Sequence, residues 1–428
     1  MPEKNTIAKL YRLTLAAFVA ASLIFHLAIL SESRKQMGAG YGDFIIFYTG
    51  AQIVNDGKAK KLFKIETQND YQAKFDVPQL EWPLPFNHAP YELFLFLPLA
   101  HLSYPVAHAI WSGLNLILLI IMLRWILPYV DSAHNFFIGA AVLAWFPTME
   151  AFRLGQDSIL STALLLAVFV ALKRNRDGWA GFFLALGLYK PQLVLPMAGA
   201  FLVTRRWYAL VAFSITGVVL VAMSLAMVGQ QGAFDLVSIL RFMGEHSFII
   251  LPSNMPNIRG LSYLALQGRS FELWRFVVTL IISLALYGLC LYLWKHEFGT
   301  RDPVFDLTFS LTIVTTVLIS YHLYAHDLFP VALSLVLLFN YVCSGSTSHW
   351  AISKAYFCLL IILFVPVVPR YLNFKLFGFA ASPILLLYTI LAVEIYRRKS
   401  SATKNGFHRK SNWVQTLTHR VILPGPRK

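Results

Sequence analysis

The chain contains a succession of apolar segments, each about as long as a helix that crosses a lipid bilayer. Such a helix needs about 20 apolar residues, and its backbone satisfies its own hydrogen bonds in a solvent that offers none. Hydrophobic residues make up 57% of the 428 residues and charged residues 13%, which excludes an ordinary soluble globular protein. The candidate spans are residues 9–31, 104–124, 134–151, 157–173, 177–203, 207–228, 273–294, 304–323, 327–342, 353–370 and 377–396.

Lysine and arginine are retained on the cytoplasmic side of a membrane, and this sets the orientation of the spans. Four basic clusters stand out, in residues 4–12, 173–176, 205–206 and 397–428. If all four are cytoplasmic, residues 177–203 must leave and return to the same side as two short helices. Proline disfavours helical geometry in the residue before it, so Lys190-Pro191-Gln192 is the expected break, and a single kinked span is the alternative.

This alternation predicts an all-α bundle of about 12 transmembrane helices with both termini cytoplasmic, in a bacterial-type inner membrane. We expect a transmembrane domain over residues 1–396, with juxtamembrane helices in a first extracytoplasmic loop over residues 32–92. Residues 397–428 form a basic tail with no acid. The tail accounts for much of the net charge of +15, and it favours an anionic lipid surface over nucleic acid. A solvated, disordered tail is equally compatible with this composition.

The same orientation gathers polar residues on the outer face. Five elements should meet there, and we expect the functional residues among them. They are the loop 32–90, Arg153-Leu154-Gly155-Gln156, the Lys190 break, the loop 229–272 and the turn from His322 to Asp327.

A carboxylate follows a glycine pair in the first loop, at Gly40-Tyr41-Gly42-Asp43. A buried acid at the edge of a membrane can serve as a general base, because burial raises its pKa towards the useful range unless a cation or hydrogen-bond donors hold it ionised. Asp43 could instead cap the helix that should start at Phe44. Both interpretations remain open from the local sequence.

Three cations, Arg153, Lys190 and Arg259, lie near the outer ends of predicted segments. An unpaired charge in hydrocarbon costs about 2.5–3.5 kcal/mol on insertion scales, so each should have an anionic partner. A phosphate group is one candidate, and a nearby carboxylate such as Asp157 is the other.

The turn containing His322, His326 and Asp327 invites a metal interpretation, but it lacks the HExxH type of spacing. A hydrogen-bonded connector, or a histidine that contacts a phosphate or a substrate hydroxyl, explains it more economically, so no metal is expected. The chain also has no P-loop and no dinucleotide fingerprint. We therefore expect no cofactor, and any group donor must arrive through the membrane.

Several short motifs occur in an order that resembles the family 87 glycosyltransferases of the GT-C superfamily, which are polyprenyl-phosphate-mannose-dependent mannosyltransferases. The resemblance extends over roughly residues 40–330. The motifs are Gly42-Asp43-Phe44 with Phe47-Tyr48, Pro85-Phe86 to Pro90, Pro98-Leu99, Ala107 to Trp111, Gly155-Gln156, Ala180-Gly181 to Lys190-Pro191-Gln192, Arg205-Arg206-Trp207, Asn257 to Gly260 and His326-Asp327.

The resemblance implies an inverting transfer of a mannosyl or other hexosyl group from a polyprenyl-phosphate donor to a glycolipid or glycan acceptor. Asp43 would be the general base. The implied phosphate-binding residues are Lys190, Arg259, His322 and Arg153, and the implied substrate contacts are Tyr48, His88, Gln156, Gln192 and His326. His88-Ala89-Pro90 departs from the aromatic and paired prolines of many relatives, so the acceptor preference does not carry over.

A secondary transporter is the alternative of a different class, because broken helices such as the one at Lys190-Pro191 also build transport sites. The polar residues gather at one face and not at the midplane, which favours the transferase. An acyltransferase or a polymerase of lipid-linked glycans would use the same outer face with another donor.

Overall fold

The computed structural model describes residues 13, 16–17, 19–33, 40, 42–75, 84–130, 135–245, 251–295, 299–343 and 374–418. All regular elements in these ranges are helical, which confirms the expected all-α class. The helices are α1 (Val19–Ser33), α2 (Phe44–Asn55), α3 (Ile65–Gln72), α4 (Tyr104–Ile126), α5 (Asn135–Ala144), α6 (Phe146–Leu154), α7 (Ser158–Lys173), α8 (Asp177–Leu186), α9 (Pro191–Val203), α10 (Trp207–Glu245), α11 (Ile258–Ala265), α12 (Glu272–Lys295), α13 (Pro303–Ile319), α14 (Pro330–Cys343) and α15 (Ala381–Thr418).

Five described helices are long and apolar enough to cross a membrane, so the chain is a multi-pass membrane protein. The expected number of about 12 spans is not confirmed. The predicted segment at residues 353–370 lies outside the described residues, and several shorter apolar helices accompany the five. The five are Tyr104–Tyr129, Trp207–Met243, Glu272–Lys295, Ala325–Val342 and Phe377–Ser400.

The predicted break in residues 177–203 is present. Helix α8 ends at Leu186, a short 3-10 turn covers Gly187–Tyr189, and α9 starts at Pro191. Lys190 has a non-helical backbone, with φ −118° and ψ 74°. The proline therefore begins a new helix, where its missing N–H has no cost, and the single kinked span is excluded.

Two predicted segments differ from the structure. The segment predicted at 134–151 contains two helices, α5 and α6, because Trp145 is extended before Pro147 and ends α5. Helix α10 runs on to Glu245 through a kink at Gly229, whose φ is 69°. The outer loop that was expected to begin at residue 229 is therefore helical for its first part.

The centre of the bundle is formed by α7, α13 and α14, which are buried on nearly all sides, whereas α10 and α12 keep most of their apolar surface exposed. Hydroxyl side chains of α13 bond to backbone carbonyls within their own helix, as Ser310 does to Asp306. Such bonds satisfy polar groups where no water is present.

The first loop carries the expected helices, α2 and α3, and packs as an aromatic cluster on α4. Phe44 and Phe47 of α2 are fully buried. The ring of Phe47 stacks on Phe96 at 4.7 Å, and Phe96 contacts Trp111 of α4 at 4.6 Å. This cluster fixes the start of α2, and with it the position of Asp43.

Candidate functional site

The carboxylate of Asp43 meets the side chain of Gln156 across the interface between α2 and the turn after α6. Nε2 of Gln156 donates a hydrogen bond of 2.6 Å to Oδ2 of Asp43. Asp43 precedes the first residue of α2, but its side chain makes no capping hydrogen bond. The helix-cap interpretation is therefore wrong for the side chain, and no described residue bonds to the second oxygen, Oδ1.

Two glycines allow these segments to approach. Gly155 ends α6 in the left-handed conformation, at φ 67°, and a Cβ there would lie 2.6 Å from Cβ of Phe44. Gly42 has φ 117°, and a Cβ there would lie 3.2 Å from the carbonyl oxygen of Leu154. Nε1 of Trp111 donates a hydrogen bond of 2.9 Å to the carbonyl of Gly155. The turn is thus held against α2 by close backbone packing that larger residues would prevent.

The next residue in the same turn, Asp157, faces a different partner. Its Oδ1 lies 2.5 Å from Nζ of Lys190, and Oδ1 of Asp327 lies 2.7 Å from the same nitrogen. All three side chains are buried. Burial alone would raise the pKa of Asp157, but the ammonium of Lys190 together with His88 and hydrogen bonds lowers it. Lys190 therefore joins three segments of the chain through a buried pair of carboxylates.

Asp327 extends this network to the turn before α14. Its Oδ2 accepts a hydrogen bond of 3.1 Å from the backbone N–H of Tyr324 and lies 3.3 Å from Nε2 of His326. The predicted residues Lys190 and His326 are therefore joined through Asp157 and Asp327, and Gln156, which binds Asp43, directly precedes Asp157 in the chain.

His88 lies on the other side of Asp157. Its Nδ1 is 2.6 Å from Oε2 of Glu92 and 3.9 Å from Oδ2 of Asp157. Burial alone would lower the pKa of His88, but Glu92 and, more weakly, Asp157 raise it. Burial raises the pKa of Glu92 to about 7, partly opposed by His88.

Arg259 and His322 lie near the ends of α11 and α13. Nη1 of Arg259 donates a hydrogen bond of 2.9 Å to the carbonyl of Tyr321, and its guanidinium lies 3.9 Å from the centre of the Tyr321 ring. Burial lowers the pKa of His322 to about 4, with Asp327 opposing the shift. At neutral pH His322 is an uncharged hydrogen-bonding group.

Three predicted residues have other contacts. Arg153 forms a two-point ion pair with Glu150, at 2.8 Å and 2.9 Å, so a carboxylate and not a phosphate is its described anionic partner. The hydroxyl of Tyr48 donates to the carbonyl of Leu102 at 2.6 Å. Gln192 is half-buried in the first turn of α9, beside Lys190.

Glu92 is the functional candidate that the sequence prediction missed. It lies four residues after His88 in a short 3-10 helix, Pro90–Leu95. A lone acid in an apolar stretch is itself a signal, since an isolated buried charge needs a partner. The roles of Asp157 and Asp327 as joint partners of Lys190 depend on segments that are distant in sequence.

The chain matches a family model that is described as glycosyltransferase family 87. The match covers residues 86–320, which is more than half of the chain and includes Gln156, Lys190 and Arg259. No curated protein and no solved structure matches the chain significantly.

Proposed function

Since the chain is a membrane glycosyltransferase that belongs to family 87, we propose that it transfers a hexosyl group, such as mannosyl, from a polyprenyl-phosphate donor. The acceptor is a hydroxyl of a glycolipid or glycan on the extracytoplasmic face. The observation that carries this proposal is the Asp43 carboxylate, which is bonded by Gln156 at one oxygen and has no described partner at the other.

In the proposed step, Asp43 removes the proton of the acceptor hydroxyl as that oxygen attacks the anomeric carbon. The bond between this carbon and the phosphate oxygen breaks, and its electron pair leaves with the polyprenyl phosphate. Attack opposite the leaving group inverts the anomeric centre. A positioned general base contributes roughly 10²–10⁴-fold to such a step.

The phosphate that accumulates charge needs donors that are not already neutralised. Arg259 fits this role, because its described partners are a carbonyl, a sulfur atom and an aromatic ring. His322 adds a neutral hydrogen bond. Lys190 is shared between two carboxylates, so we assign it the positioning of Asp157 and Asp327, and Arg153 is neutralised by Glu150.

Purified protein incubated with polyprenyl-phosphate-mannose and a panel of glycolipid acceptors tests the proposal, with products identified by mass. Asp43→Asn should reduce transfer by at least about 10²-fold without loss of expression. Asp70→Asn is the matched control, because Asp70 is an exposed acid of the same loop. Full transfer by Asp43→Asn would refute the general base. Substrate uptake by proteoliposomes without any sugar donor would instead favour a transporter.

A further inference from the structure

A buried cluster of one histidine and two carboxylates lies beside the proposed reaction site and is not used by the proposed mechanism. Nδ1 of His88, a carboxylate oxygen of Glu92 and one of Asp157 all lie within 4.8 Å of one another. Glu92 and Asp157 are 2% and 0% exposed. Oε1 of Glu92 and Oδ2 of Asp157 are buried and accept no hydrogen bond from any described residue.

The buried acids around the cluster outnumber its lysine. Glu92, Asp157 and Asp327 are three acids, and Lys190 pairs with two of them, Asp157 and Asp327. Isolated buried charges are costly, so the remaining negative charge needs compensation. Either protons on His88 and His326, which lie beside Glu92 and Asp327, or one divalent cation would restore neutrality.

From this geometry we propose that His88, Glu92 and Asp157 form a binding site for a divalent transition-metal ion such as Zn²⁺. One imidazole and two carboxylates are ligands that Zn²⁺ accepts. Tetrahedral Zn²⁺ with bonds of about 2.0–2.1 Å places its ligand atoms about 3.3 Å apart. The present separations of 2.6 Å and 3.9 Å from His88 Nδ1 lie on either side of that value.

The surroundings suit a metal site. The ring of His88 is held between Phe47 at 5.5 Å and Tyr189 at 6.3 Å, which fixes the direction of Nδ1. The His88 side chain is 19% exposed, so it is the ligand nearest to the surface. The sequence predicted no metal because the ligands come from two segments and lack a known spacing. The site is independent of the proposed reaction, since neither Asp43 nor Arg259 belongs to it.

The test is zinc analysis of the full chain, purified with a tag that contains no histidine, stripped with a chelator, reloaded with Zn²⁺ and desalted. We expect one Zn²⁺ per chain. His88→Gln and Glu92→Gln should weaken binding by at least about 100-fold, whereas His101→Gln and Glu66→Gln, at exposed positions, should retain it. Absence of retained zinc, or equal retention in all four variants, would overturn the proposal.

X-ray absorption spectroscopy of the zinc-loaded wild-type protein identifies the ligands directly, and it does not depend on any variant folding correctly. One imidazole with oxygen ligands is expected. A spectrum without imidazole, or with two or more imidazoles, would exclude this site even if Glu92→Gln or His88→Gln cannot be purified. Neither measurement uses sugar transfer. A negative result for the zinc site, which is read from metal binding, can therefore be told apart from a negative result for the proposed glycosyltransferase function.

Discussion

The side-chain amide of Gln156 and the carboxylate of Asp43 are joined by a hydrogen bond of 2.6 Å between residues 113 positions apart in the chain. The bond fixes one carboxylate oxygen and directs the other away from the amide. Gln156→Glu replaces the donor by a second acid of the same shape. We expect a reduction in kcat of at least about tenfold, since repulsion would displace a base whose effect depends on position.

Steady-state kinetics of Gln156→Glu should show the loss in kcat and little change in donor KM. Gln267→Glu, at an exposed glutamine, is the control and should behave as wild type. An unchanged kcat in Gln156→Glu would mean that this bond does not position the base.

Gly155→Ala should cost both stability and activity. Its backbone is left-handed, which costs a residue with a Cβ about 1–2 kcal/mol, and the new Cβ would also meet Phe44 at 2.6 Å. Gly57→Ala separates the two effects, because Gly57 has φ 70° but nothing within 4 Å of its Cβ position. The unfolding temperature should fall in both variants, and it should fall further in Gly155→Ala. Only Gly155→Ala should lose sugar transfer. Equal behaviour of the pair would contradict the close approach.

Lys190→Met should destabilise the protein by about 3–5 kcal/mol, because it leaves two buried carboxylates without their cation. Adding Asp157→Asn to Lys190→Met removes one of these charges and should restore part of the loss. Thermal unfolding in detergent measures both. Lys64→Met, at an exposed lysine, should change stability by no more than about 0.5 kcal/mol. Additive losses in the double variant would argue against the ion pair.

The lowered pKa of His322 predicts a pH dependence of stability. In the folded protein His322 becomes protonated only near pH 4, whereas a histidine in the unfolded chain becomes protonated near pH 6.5. Between these values the unfolded state holds more protons, so stability should rise with pH. His322→Gln should flatten the rise in unfolding temperature from pH 4.5 to 6.5, and His101→Gln, at an exposed histidine, should leave it unchanged. An equal slope in wild type and His322→Gln would refute the assignment.

Local patterns predicted the features that depend on local chemistry. The apolar segments gave the helical membrane fold, and Lys190-Pro191 gave the break between α8 and α9, because proline acts on its immediate neighbours. Arg153 also had a local signal, since Glu150 lies three residues earlier, where helical side chains meet. The sequence prediction overlooked that pair.

Partners from distant segments could not be predicted in this way. That Asp43 faces Gln156 and does not cap α2 depends on the packing of Gly155 against Phe44. The sharing of Lys190 by Asp157 and Asp327 depends on three segments meeting at one nitrogen. The positions of these residues in the sequence do not indicate that Asp43 is close to Gln156 or that Lys190 is close to Asp157 and Asp327.

The turn Gly155-Gln156-Asp157 presents consecutive side chains to two separate partners, Asp43 and Lys190. The number of residues in this turn therefore limits which changes it can accept more strictly than the identity of its residues does. One inserted or deleted residue would rotate one of the two side chains out of reach, however well the new residue matched the old chemistry. Libraries that vary acceptor preference in this enzyme should keep this turn at fixed length and place insertions elsewhere.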